Sequence, residues 1–130
     1  NVMVVTTPEP TAITDAYAVI KVLARCQGTG KMSVVANQVT GRDEGRIVHE
    51  RLAGVARQFL HADVAFGGYV VHDQAVPQSV RRRTTFVTEF PNSLAAKCIL
   101  AWANRIDHHV DVSSGHLRPG FFARLASWWR

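Results

Sequence analysis

Cysteine is scarce: the chain of 130 residues holds two, Cys26 and Cys98. Two thiols, both in helical patterns, are too few for a disulfide framework and read as reduced, as in the cytosol. No apolar run reaches the roughly 18 residues that a bilayer span needs. The opening NVMVVTTPEP lacks a basic start, an apolar stretch and a small-residue cleavage site, so it does not read as a secretory signal. It begins inside what reads as a strand and lacks an initiator Met, which suggests a piece of a longer protein. There is no internal repeat and no low-complexity stretch. With 47% hydrophobic and 19% charged residues, disorder is not the default and a modest core is affordable.

What the chain does have is positive charge, net +5. That balance favours an anionic partner such as nucleic acid, phosphate or acidic lipid. Part of it is concentrated at Arg81, Arg82 and Arg83. Such a block is usually a solvated face; contact with anionic lipid or DNA are the functional alternatives.

Hydrophobic periodicity alternates between two types. NVMVV (1–5), MSVVANQV (32–39) and VAFGGYVVHD (64–73) read as strands, the third bulged at Gly67 and Gly68. A run apolar on both faces implies a parallel sheet with both faces covered. Between them lie two helical patterns. In the first, Thr11 is the expected N-cap, and Ile13, Ala16, Ile20 and Leu23 form the apolar face. In the second, Val48, Leu52, Val55 and Phe59 do so. Residues 74–91 read as irregular, with room for one helical turn. Asn92 or Ser93 then caps a third helix whose face is Leu94, Cys98, Ala101 and Trp102. The order β-α-β-α-β-α predicts an α/β fold with a parallel sheet and flanking helices.

In such sheets ligands sit beyond the carboxyl ends of the strands. That directs attention to TTPEP, to Asn37 and to VVHDQAVP. An Asn amide can both donate to and accept from an adenine edge. HDQAVP would form the facing wall, with main-chain groups meeting the ring. The plainer reading is that Asn37 caps a turn and Asp73 caps the next helix.

The stretch VVTTPEPTAITDAYAVIKVL resembles the segment after the Walker B strand of MinD/ParA-type ATPases, closest to the FlhG or FleN regulators of flagellar number. SVVANQV, EGRIVHERLAGVARQFL and HDQAVPQSVRRRTTFVTEFPNSLAAK continue in the same order, so the resemblance covers nearly the whole chain as the C-terminal half of a P-loop NTPase fold. It implies adenine contact at Asn37, the other purine wall at Val71, His72 and Asp73, and a loop near nucleotide and dimer face at Pro8, Glu9 and Pro10. The family usually has Pro where Val71 stands, which loosens the analogy there. It further implies ATP, with Mg in the full-length protein, a homodimer, flagellar regulatory partners and a cytoplasmic location at the inner face of the cell membrane.

One part of that machinery is missing from the sequence. No G-x-x-x-x-G-K-[ST] pattern or deviant of it occurs; QGTGK (27–31) follows a helix rather than a strand. Without such a loop nothing cradles the β- and γ-phosphates, so the chain alone is not expected to hydrolyse ATP. His49, His61, His72, His108, His109 and His116 read as solvated, because a metal site needs three or four converging ligands. No nucleophile triad or carboxylate pair suggests itself.

The C-terminus GFFARLASWWR concentrates aromatics. Written on a helix, Phe121, Phe122, Leu125, Trp128 and Trp129 fall within an arc of roughly 120°, with Arg124 flanking it. Aromatics on one face of a basic helix suit a membrane interface; packing back onto the domain is the alternative. The resemblance supports the first, since MinD-type ATPases carry such a helix after a linker. The expected organisation is an ATPase half-domain over 1–109, a linker over 110–118 and a membrane-targeting helix over 119–130. Two other functions remain: a non-catalytic membrane- or partner-binding α/β module, and a DNA-partitioning relative using the arginine block.

Overall fold

The computed structural model describes residues 1–26 and 30–111. Three strands, β1 (Val2–Thr6), β2 (Met32–Val39) and β3 (Val64–Val71), form one sheet in the order β1-β2-β3. Both pairings are parallel, as the alternating order predicts. Helix α1 (Pro10–Arg25) joins β1 to β2, and α2 (Arg42–Leu60) joins β2 to β3. Three helices follow: α3 (Ala75–Arg81), α4 (Phe86–Glu89) and α5 (Leu94–Asp111). The chain divides into a unit over Asn1–Cys98, which holds the whole sheet, and a second unit from Ile99 onward, described as the continuation of α5 through Asp111.

One face of the sheet is packed by α1 and α2. Val4, Ala16, Ile20, Val34, Ala36, Val39, Val48, Leu52 and Ala56 belong to a single buried cluster. Each large apolar side chain buried there contributes on the order of 1.5–3 kcal/mol. Side chains alternate across a strand, so the neighbours Met3 and Val5 look to the other face. They remain exposed, Val5 by 58%. The expectation that both faces are covered therefore fails at β1.

Several local expectations also change. Helix α1 starts at Pro10, with Glu9 at the N-cap position and no side-chain cap. Proline needs no amide partner in the first turn, so it displaces Thr11 as the start. The apolar face of α1 is as expected, with Ala16 and Ile20 buried and Ile13 and Leu23 packed against the core. On α2, Val48 and Leu52 are buried, but Val55 and Phe59 are exposed, Phe59 by 64%. Small residues replace them: Gly45, Ala53 and Ala56 are buried instead. A Cβ on Gly45 would lie 2.9 Å from the Tyr69 Cβ, so glycine lets α2 approach β3 closely.

Residues 74–91 are more regular than expected, since they contain α3 and α4. On α5 the buried positions are Ala95 and Ala96, whereas Leu94 is exposed. Ser93 does cap it: its hydroxyl accepts from the Ala96 amide at 3.2 Å. The bulge in β3 is where the sequence suggests it. Val34 pairs with Phe66 and Val35 with Gly68, so the register shifts by one residue at Gly67.

Candidate nucleotide rim

All three strands run in one direction, so their carboxyl ends, Thr6, Val39 and Val71, lie along one rim of the sheet. The end of β2 is irregular. Asn37 pairs with Val70, Gln38 takes a left-handed φ of 58°, and Val39 resumes pairing with Val71. The extra residue is accommodated as a bulge, a feature frequent where a strand re-aims a side chain. Gln38 is exposed, while Asn37 is half-buried. By alternation Asn37 and Val35 share the sheet face opposite α1 and α2.

The chain then stays pinned beyond the strands. His72 donates its amide N–H to the carbonyl of Val39 at 2.8 Å. Asn37 and the segment Val71–Asp73 therefore occupy neighbouring positions on the same rim, as the sequence reading requires. The third expected segment, Pro8, Glu9 and Pro10, follows β1 at that end; Pro8 is half-buried and Glu9 and Pro10 are exposed. Next to it, the Thr7 hydroxyl is buried with no hydrogen-bond partner. Thr7 lies within TTPEP, but the sequence assigns it no separate role there, because a Thr in a turn carries no signal of its own.

Asp73 holds the loop on two sides. Oδ1 accepts from the Ala75 amide at 2.9 Å and Oδ2 from the Ala95 amide at 3.1 Å. These amides, Ala75 foremost, hold its carboxyl below the ordinary Asp range, with a smaller contribution from the charge of His72. A carboxylate satisfied by main-chain donors is stabilised in its charged form. The helix-capping alternative for Asp73 is thus realised at α3, and extended to α5.

Elsewhere, side chains read as solvated have partners. His49 Nε2 donates to the Val64 carbonyl at 2.8 Å, and its ring lies 5.4 Å from that of Phe66. His61 ends α2 in a left-handed conformation. The arginine block is a solvated face: Arg81, Arg82 and Arg83 are all exposed, and Arg82 also pairs with Glu89 and lies 5.8 Å over the Phe90 ring. Among the described residues no cluster of His, Cys, Asp and Glu could hold a metal ion. Among them, too, no helix is long and apolar enough to cross a membrane. Phe121, Phe122, Arg124, Leu125, Trp128 and Trp129 lie outside the described residues, as do Gln27, Gly28 and Thr29 of QGTGK.

The chain is 35% identical over 107 residues to the antiactivator FleN of Pseudomonas aeruginosa, a match covering 82% of this chain and 38% of FleN. It is 34% identical over 99 residues to the flagellum site-determining protein YlxH of Helicobacter pylori, covering 75% of this chain and 33% of YlxH. The chain belongs to the FlhG family, of MinD/ParA type. The match fits the C-terminal half of that family. No family model matches the chain. It spans well under half the length of the relatives that carry the FlhG assignment, 38% and 33% respectively. A three-stranded parallel sheet with flanking helices is compatible with part of a P-loop NTPase domain.

Proposed function

We propose that the chain forms the purine-facing side of an ATP site in a flagellar regulator of the FlhG family. The observation that carries this reading is the shared rim: Asn37 beside Val70, with His72 tied to Val39 at 2.8 Å. A half-buried primary amide at a strand end has both the donor and the acceptor that an adenine edge requires. Main-chain groups of Val71, His72 and Asp73 form the facing wall, while the Asp73 carboxylate is engaged by amides. Pro8, Glu9 and Pro10 adjoin the nucleotide and a dimer face.

The donor set fits a purine and not a triphosphate. No phosphate loop is present in the sequence, so the phosphates and Mg belong to residues other than these. Bound ATP supplies the energy for the family's cycle; this chain's residues hold and orient its base. In the whole protein, ATP would close a homodimer, gathering two copies of the 119–130 segment on anionic membrane and raising its effective concentration there. FleN is described as an antiactivator and YlxH as determining the flagellum site. A role in flagellar number and placement, with flagellar regulatory proteins as partners at the inner face of the cell membrane, follows from that kinship.

The test is a titration of the nitrogen-15-labelled chain with adenosine and, separately, guanosine. Adenosine should shift the Asn37 and His72 amides, and Asn37→Ala should abolish the preference over guanosine. Shifts scattered away from the rim, or equal for both nucleosides, would refute the purine assignment.

A further inference from the structure

We infer that Asp73 is a positioning residue that locks the strand-end loop to the first turn of α5, so that the rim and that turn respond as one mechanical unit. Its functional meaning rests on the purine reading of the rim; its geometry does not.

Three observations converge. First, one carboxylate spans two helix starts, accepting from Ala75 on α3 and from Ala95 on α5. Both oxygens are engaged by main-chain donors, so neither element can move away without leaving a carboxylate lone pair and an amide unpaired. Second, the donor on α5 is a fully buried position: Ala95 and its neighbour Ala96 are 0% exposed. The turn that Asp73 grips is therefore fixed by packing, not frayed. Third, the residue before Asp73 is itself pinned, by the His72 amide on the Val39 carbonyl at 2.8 Å. A continuous path results: the end of β2, His72, Asp73, Ala95.

The path bypasses the intervening sequence. Asp73 and Ala95 are 22 residues apart, and the segment between them closes on itself through Arg82, Thr84 and Glu89. Ser93 provides a second, independent cap on α5 through the Ala96 amide. The start of α5 thus has two hydrogen-bonded anchors, and one of them, Asp73, reaches the rim. Asp73 acts on a bound base through the loop's position, not by touching it.

Amide hydrogen exchange on the full chain tests this. Asp73→Asn keeps the shape of the side chain but leaves one acceptor for two amides. The His72 and Ala95 amides should both exchange about tenfold faster or more in that variant, a sub-global opening rather than global unfolding. Ser93→Ala should accelerate Ala96 and leave His72 at its wild-type rate. Equal acceleration of His72 in both variants, or no change of His72 in Asp73→Asn, would overturn the coupling. If Asp73→Asn fails to fold, acidifying the wild-type chain replaces it: the His72 and Ala95 amide shifts should titrate together, and separate titrations would overturn the coupling. An adenosine titration of the wild-type chain separates the two claims. Shifts at Asn37 that extend to Ala95 support both, and shifts at Asn37 that stop before Ala95 overturn the coupling alone. No shifts at all overturn the purine reading, while the exchange comparison still decides the coupling.

Discussion

Asn37 stands beside Val70 across the β2–β3 ladder, one residue before Gln38 turns to a φ of 58°. The bulge at Gln38 lets the strand end with Asn37 half-buried while the ladder continues at Val39. Strain of this kind, for a residue other than glycine, costs on the order of 1 kcal/mol and persists only where the surroundings impose it. Here the ladder on both sides, and the His72 bond to Val39, impose it.

The close approach of α2 to the sheet is tested by two glycines of the same helix. A Cβ at Gly45 would meet the Tyr69 Cβ at 2.9 Å, whereas at Gly54 it would meet nothing within 4 Å. Alanine gains about 1 kcal/mol of helix propensity over glycine, and overpacking costs about 1–3 kcal/mol. Gly54→Ala should therefore raise the urea midpoint and Gly45→Ala lower it. Stabilisation by both would mean that α2 does not sit this close to β3.

The same contrast explains how far the sequence could be read. The β-α order and the parallel sheet were legible because β-branched runs and helical periods are local signals. The buried face of α2 was misread at Val55 and Phe59, since periodicity weighs large residues. A helix seated through Gly45, Ala53 and Ala56 buries small ones. Leu94 misled in the same way at α5, where Ala95 and Ala96 go inside. The rim itself was legible at Asn37 and His72 because strand ends are local. The grip of Asp73 on Ala95 was not, because it closes over 22 residues of sequence.

His49 should prove structural. Since a carbonyl only accepts, Nε2 must carry the proton in its bond to Val64. His49→Ala removes that bond, worth about 0.5–1.5 kcal/mol net, together with the ring contact to Phe66. Urea unfolding should show a loss of about 1–2 kcal/mol with an unchanged m-value. His49→Gln, which restores a donor, should recover part of it. An unaltered midpoint in His49→Ala would make the histidine a solvated one after all.

The C-terminal aromatics carry the membrane part of the proposal. Full burial of each large apolar side chain contributes on the order of 1.5–3 kcal/mol, and less at an interface. One 119–130 segment should thus bind anionic liposomes weakly and reversibly. A Phe122→Glu, Trp128→Glu double variant replaces two of the aromatics with charge and should leave the protein in the supernatant after sedimentation with such liposomes. Undiminished co-sedimentation would assign membrane binding elsewhere, or to nothing at all.

Acid sensitivity follows from three carboxylates held below their ordinary values. Asp73 is lowered chiefly by the Ala75 and Ala95 amides, Glu44 by the amide and then the hydroxyl of Thr40, and Glu89 by the Thr84 hydroxyl and then Arg82. A depressed folded-state value means that the unfolded chain takes up protons first as pH falls. Their contribution is complete above the unfolded carboxylate range, about pH 4, and is lost as pH drops through the lowered folded-state values. Unfolding free energy measured by urea titration should therefore be flat in this respect near neutrality and decline on acidification below about pH 4–5. Asp73→Asn should be less stable at neutral pH but show a shallower decline, because it has no proton to take up at that position. A decline as steep as that of the wild-type chain would mean that Asp73 is not held in its charged form by the amides of α3 and α5.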